Sequence, residues 1–277
     1  MFISLGQHDK AKEFLQRALA IKIQIGDKKG EASSYGNLGT AFKSLGQYDK
    51  AKEFLQKALA IRIEIGDKEG EASSYANLGT VFKSLGQYDK AKEYLEKALA
   101  VQIEIGDKEG EATSYGNLGT VFESLCQYDK AKEYLENALG IKIQTGDKRG
   151  EASSLGNLGT VFISLGQYHK AKEFLEKALA IRIQIGDKEG EASSYANLGT
   201  VFKSLGQYDK AKEYLGKALA VQIEIGDKEG EATSYGNLGT VFESLGQYDK
   251  AKEYLEKVLD IKIQTGDKNG ETARWET

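Results

Sequence analysis

Asn37, Asn77, Asn117, Asn157, Asn197 and Asn237 recur every 40 residues, each directly before a Leu-Gly pair. An asparagine amide carries two donors and an acceptor, the complement of a peptide C=O and N–H. A register of such amides can therefore hold an extended chain by its backbone, whatever its side chains. At about 0.5–1.5 kcal/mol net for each hydrogen bond, the ladder offsets the ordering cost of an extended ligand and predicts micromolar binding of a short peptide.

The other residues that could do chemistry do not assemble into a site. His8 and His169 replace an aromatic residue and an aspartate at different places in the repeated unit, with no recurring nucleophile beside them. Cys126 stands where other copies carry glycine, as at Gly86 and Gly246, and has no cysteine or histidine companion at metal-ligand spacing. Gly106-Asp107-Lys108-Glu109-Gly110 lacks the length and the Gly-Lys-Ser/Thr ending of a phosphate loop and reads as a turn. The expectation is a protein without catalytic residues, metal or cofactor.

The frame that must position the asparagines is a unit of 40 residues. A second period lies above it: residues 61–110 return at 181–230 with only Gln184 for Glu64 and Gly216 for Glu96. A fixed period of this length predicts a stacked array whose units touch mainly their neighbours. We divide the chain, taken as one array, into a partial unit at 1–27, six complete units over 28–267 and the start of another at 268–277. Both ends match the interior of the repeat, which suggests a piece of something longer.

Each unit reads as two helices. Gly66-Asp67 can end one helix with a left-handed glycine and cap the next with a carboxylate. The first helix, roughly 68–85, places Tyr75, Leu78, Phe82 and Leu85 on one face. Gly86-Gln87 breaks the chain, and a second helix from about Tyr88 buries Ala91, Tyr94, Leu95, Ala98 and Leu99. Ala60-Ile61-Arg62-Ile63-Glu64-Ile65 alternates like a strand, yet Leu55, Ala58, Leu59, Arg62 and Ile65 continue a helical stripe, and helix is predicted. Glu93 and Lys97 form an exposed pair four residues apart.

Composition narrows the partners. Apolar residues make up 40% and charged residues 29% of the chain, and 38 Lys and Arg against 42 Asp and Glu give a net charge of −4. No basic field is available for nucleic acid. A single cysteine suits a reducing compartment. No apolar run is long enough to span a membrane, and Met1 to Gly6 lacks the form of a signal peptide. A soluble, cytoplasmic protein is expected.

The repeat resembles the tetratricopeptide repeat in a longer, 40-residue form, over nearly the whole chain. Tyr75, Leu78, Gly79 and Phe82 match the family's first-helix pattern, Ala91, Leu95 and Ala98 match its second, and Trp275 restores the family's usual tryptophan at the aromatic position. The departure is the missing proline at the end of the second helix, where Ile63 and its equivalents stand. The resemblance implies an all-α, right-handed superhelical solenoid of antiparallel helix pairs whose first helices line a concave groove. It further implies a scaffold that binds extended or disordered protein segments, since similar asparagine ladders serve arrays in a glycosyltransferase and in kinesin light chains.

Around the ladder this groove would be small and polar, with Ser73, Ala76 and Thr80 in one unit and Thr113, Gly116 and Thr120 in the next. One turn on, the series Lys43, Lys83, Glu123, Ile163, Lys203 and Glu243 would set side-chain preference, favouring acidic ligand residues near Lys83 and basic ones near Glu123. A chaperone-tail clamp is not expected, because Ala76 and Thr80 occupy the places where it needs Lys and Asn. The 40-residue form is also similar to spindle-orientation adaptors, although Ser33 and Thr40 stand where those tend to show Arg and Asn. A regulatory or sensor arm of a larger multidomain protein, and an array that self-associates end to end, are the remaining alternatives.

Overall fold

The computed structural model describes residues 8–265, with side chains from Phe14 onward. Among them are thirteen helices and no strand, in two compact units, Met1–Thr145 and Gly146–Thr277. The first contains α1 (His8–Gln24), α2 (Lys28–Ser44), α3 (Tyr48–Glu64), α4 (Lys68–Ser84), α5 (Tyr88–Ile105), α6 (Lys108–Ser124) and α7 (Tyr128–Thr145). The second contains α8 (Lys148–Ser164), α9 (Tyr168–Ile185), α10 (Lys188–Ser204), α11 (Tyr208–Ile225), α12 (Lys228–Ser244) and α13 (Tyr248–Gln264). Trp275, residues 1–7 and the fragment 268–277 lie outside the described residues.

Two kinds of punctuation make the hairpins. Gly66 turns left-handed at φ 70°, and the Asp67 carboxylate accepts the Gly70 N–H at 3.1 Å, satisfying a donor at the start of α4. At the other end, Gly86 takes φ 69°, its N–H reaches the Lys83 carbonyl at 3.0 Å, and the Gln87 N–H reaches that of Phe82 at 2.9 Å. This is a Schellman closure, and it reverses the chain in two residues. Tyr88 then begins the returning helix, which runs through the alternating isoleucines as predicted; Ala60 to Glu64 are part of α3.

Packing follows the stripes. Leu78, Leu95, Ala91 and Ala98 have no exposed surface, and Phe82 stacks on Tyr94 at 5.1 Å between ring centroids. The stripe of the second helix ends differently from the reading above. Ile61 is buried while Ile65, the residue that caps the C-terminal end of α3, is 38% exposed. Ile63, Ile103, Ile183 and Ile223 are about half exposed because they face away from that stripe. Glu93 and Lys97 pair at 2.6 Å in the open, where solvent screens the contact and little stability is gained.

Cys126 breaks the turn rule. It holds φ 56° where Gly46 and Gly86 hold 69°, and a residue with a Cβ pays roughly 1–2 kcal/mol for that conformation. Cys126→Gly is therefore expected to stabilise the α6–α7 hairpin by about 1 kcal/mol, measured as a higher urea midpoint at unchanged slope. A midpoint that falls would show that the thiol makes compensating contacts.

Candidate functional site

Within each unit the first helices of successive hairpins touch, α2 with α4 and α4 with α6 in one, α8 with α10 and α10 with α12 in the other. No two second helices make comparable contact among the described residues. The layer of first helices is thus the closer-spaced, inner side of each unit, and it carries Asn37, Asn77 and Asn117 in the first unit and Asn157, Asn197 and Asn237 in the second.

These asparagines sit at the edge of burial: Asn37 is exposed and the other five are half-buried. Asn77 donates its amide to the Ser73 carbonyl of its own helix at 3.0 Å. The side-chain amides of Asn37, Asn117, Asn157, Asn197 and Asn237 make no hydrogen bond among the described residues. A structural role would tie them to a neighbouring helix. None is tied that way except Asn77, whose oxygen accepts a long 3.4 Å contact from Lys43.

Between α4 and α6 the inner layer opens a groove of about 520 Å³ bordered by Ala76, Asn77, Thr80, Thr113 and Asn117, with Gln102 of α5 at its floor. Small side chains make this space. Gly116 has nothing within 4 Å of the position a Cβ would take. Ser73 and Thr113 are exposed on its rim.

The threonines are largely engaged within the protein. Thr80 and Thr120 each donate to the carbonyl of the asparagine three residues back at 2.8 Å. Their oxygens accept from the preceding unit, Lys43 reaching Thr80 at 3.2 Å and Lys83 reaching Thr120 at 3.0 Å. Lys203 repeats the contact on Thr240 at 3.1 Å. Burial pushes the Lys43 and Lys83 ammonium groups below the usual lysine range, and Glu123 partly restores that of Lys83. These lysines bridge adjacent hairpins, and Lys43 also borders the groove, so an acidic ligand group would have to exchange for neutral hydroxyls. Glu123 is half-buried and Glu243 exposed. His169 is exposed on α9, and no cluster of metal-ligating side chains occurs among the described residues. No helix among them is long and apolar enough to cross a membrane.

Sequence reasoning missed one polar row. Ser34, Ser74, Ser114, Ser154, Ser194 and Ser234 are all buried, facing a position on the second helix that changes as Lys22, Arg62, Gln102, Lys142, Arg182 and Gln222. Arg62, read above only as continuing a helical stripe, and its counterpart Arg182 send their guanidinium groups to Ser74 and Ser194 at 2.7 Å. The signal was present in the 120-residue period, which alternates this residue against an unchanging serine.

A family model described as tetratricopeptide repeat matches residues 1–64, 31–104, 70–144, 110–184, 150–224 and 190–264. No curated protein matches the chain. Among solved structures, the chain is similar to BtubC of P. vanneervenii at 24% identity and a TM-score of 0.70, covering 79% of this chain and 92% of that one. It is also similar to the nearly identical TPR-like repeats of a Podosopora anserina protein assigned as a kinesin light chain, at 25% identity and a TM-score of 0.57, covering 70% and 96%. A third likeness is to PH0952 of Pyrococcus horikoshii, a signal-transduction ATPase with a tetratricopeptide repeat sensor, at 23% identity and a TM-score of 0.74. It covers 92% of this chain but 39% of that one.

Proposed function

The chain belongs to the tetratricopeptide repeat family, and from that premise we propose that it is a non-enzymatic scaffold whose first helices hold extended protein segments by their backbone. Tetratricopeptide arrays are protein-interaction scaffolds. The observation that carries the finer reading is the set of asparagine amides on the inner layer, five of them without a partner among the described residues, standing among side chains too small to fill the space in front of them.

In this reading Asn37, Asn77, Asn117, Asn157, Asn197 and Asn237 grip peptide N–H and C=O groups. Thr80 and Thr120 brace neighbouring asparagine turns, and Lys43, Lys83, Glu123, Lys203 and Glu243 border the groove and select side chains. The six 40-residue units between residues 28 and 267 act together as a cytoplasmic adaptor. Its partners are unstructured protein segments rather than nucleic acid or membrane.

The test is selection from a randomised peptide library on the wild type and on a variant with Asn77, Asn117 and Asn157 changed to Ala, both checked for helicity by circular dichroism. The ladder predicts enriched peptides that bind the wild type in the micromolar range and lose at least tenfold on the variant. Equal binding to both proteins would overturn it.

A further inference from the structure

We propose that Tyr115 and Tyr134, on the α6–α7 hairpin and outside the asparagine groove, form a binding site for a lysine side chain of a partner protein. The site is recognised from what the other five hairpins put there. Each has a lysine three residues after the aromatic residue of its second helix, and the ammonium group lies over an aromatic ring. Lys97 stands 5.4 Å from the Tyr94 centroid, Lys217 5.0 Å from Tyr214 and 5.9 Å from Tyr195, and Lys257 4.9 Å from Tyr254 and 5.2 Å from Tyr235. Lys57 and Lys177 do the same on Phe54 and Phe174, at 5.5 and 5.7 Å. A cation at such distances is attracted by the negative face of the ring.

In the α6–α7 hairpin that lysine is replaced by Asn137, whose short amide carries no charge. Tyr115 and Tyr134 nevertheless keep the geometry of an occupied pair. Their centroids are 5.8 Å apart with planes at 55°, against 6.0 Å and 61° for Tyr195 and Tyr214 beneath Lys217. Both rings are half-buried and Asn137 is exposed, so the position from which Lys97 and Lys217 cross their rings is at the surface. No cation lies over either ring among the described residues. Lys130 does not substitute, because it lies over Phe122 at 5.4 Å, as Lys90 lies over Phe82 in its own hairpin.

The carboxylate that accompanies the lysine is still in place. Glu53, Glu93 and Glu213 pair with Lys57, Lys97 and Lys217 at 2.6 Å. Their counterpart Glu133 is exposed and has no ion pair among the described residues. Burial, and then the charges of Glu96 on α5 and of Glu133, push the Tyr134 hydroxyl above the usual tyrosine range, which puts both carboxylates within electrostatic reach of the ring. Aromatic faces alone would accept any organic cation. A carboxylate beside them favours one that donates N–H bonds, so a primary ammonium is preferred to a quaternary one.

The experiment follows the ring signals of Tyr115 and Tyr134 by NMR in the full chain as Nα-acetyl-lysine methylamide is added at constant ionic strength. Both should move with a millimolar midpoint, while the signals of Tyr94 and Tyr214, already covered by a lysine, stay in place. The Nε-acetyl derivative carries no charge and should move nothing. The Nε-trimethyl derivative keeps the charge without a donor and should bind about threefold more weakly. Asn137→Lys, which restores the residue of the other hairpins, should abolish the response by filling the site from within. Tyr134→Phe, as at Phe54 and Phe174, keeps the ring and should keep the response at Tyr115.

The site is overturned if neither ring moves, if all tyrosine pairs move alike, if Tyr134→Phe loses the response, or if Asn137→Lys responds as the wild type does. Equal or tighter binding of the trimethyl derivative, or tighter binding of free cadaverine than of the lysine probe, overturns its assignment to an unmodified protein lysine. Tyr115 and Tyr134 do not border the groove between α4 and α6, so these results stand whether or not the asparagine ladder does.

Discussion

Leu95→Ala is expected to destabilise the α4–α5 hairpin by about 2–5 kcal/mol, the largest effect of any single side chain considered. Leu95 has no exposed surface, and its branched end fills the space in front of Gly79 on the facing helix. Removing three carbons there loses their transfer free energy and leaves a cavity that two helices held by a two-residue turn cannot close. Because neighbouring hairpins also pack on α4 and α5, the loss spreads along the first unit as weakened coupling between repeats. Hydrogen exchange should show it as faster amide exchange in α4 and α5, with α12 and α13 unaffected. Uniform acceleration throughout the chain would mean that the array unfolds as one cooperative block.

Gly79→Ala tests the same contact from the opposite side. A Cβ on Gly79 would lie 2.6 Å from Leu95 Cγ and 3.2 Å from the Ala91 carbonyl oxygen, and the second of these is backbone that cannot swing away. Overpacking of this kind costs roughly 1–3 kcal/mol, against which the better helix propensity of alanine recovers only about 0.5–1 kcal/mol. Net destabilisation is expected in urea unfolding. Gly116→Ala is the control, since its Cβ would meet nothing within 4 Å and Ala76 and Ala196 occupy the same place in sister units. That variant should be more stable by about 0.5–1 kcal/mol. The double variant Leu95→Ala with Gly79→Ala should cost less than the sum of the singles, because the truncated leucine vacates the volume the new methyl needs. Strict additivity would contradict the packing described.

The hairpin was legible in the sequence because its determinants are local: Gly66-Asp67 and Gly86-Gln87 fix the turns, and the spacing of Leu78, Phe82, Ala91 and Leu95 fixes the faces. The strand-like alternation through Ile61, Ile63 and Ile65 did not mislead, since the stripe on either side kept helical phase. Ile65 stands at the cap of its helix and is partly exposed, while its counterparts Ile105, Ile185 and Ile225 are half-buried, a difference that periodicity does not contain. The asparagines could be placed on the first helix from their spacing, but whether their amides were free depended on neighbours in space. Arg62 was the clearest loss. Its position on a buried stripe made it look like a residue lying along the core, whereas Gly36 and Ser74, 26 and 12 residues away in the sequence, give its guanidinium both space and a fixed plane.

The lysine series was legible only in part. Lys43 and Lys83 were expected to face a ligand, and Lys43 lies at the groove, yet each bridges to the next repeat's threonine. A side chain that is long enough to contact a ligand is long enough to reach the neighbouring helix first, and sequence spacing alone does not choose between the two.

Backbone recognition is the central claim, and it is tested most directly on the ligand rather than on the protein. A peptide selected by the wild-type chain would be resynthesised with N-methyl groups on alternate residues, in both registers, and its affinity measured by fluorescence anisotropy beside variants that change side chains one at a time. If the asparagines hold peptide N–H groups, one N-methyl register should bind at least tenfold more weakly than the parent, while most side-chain changes alter affinity little. If both methylated registers bind like the parent and the side-chain variants do not, the array reads side chains and the ladder does not grip the backbone.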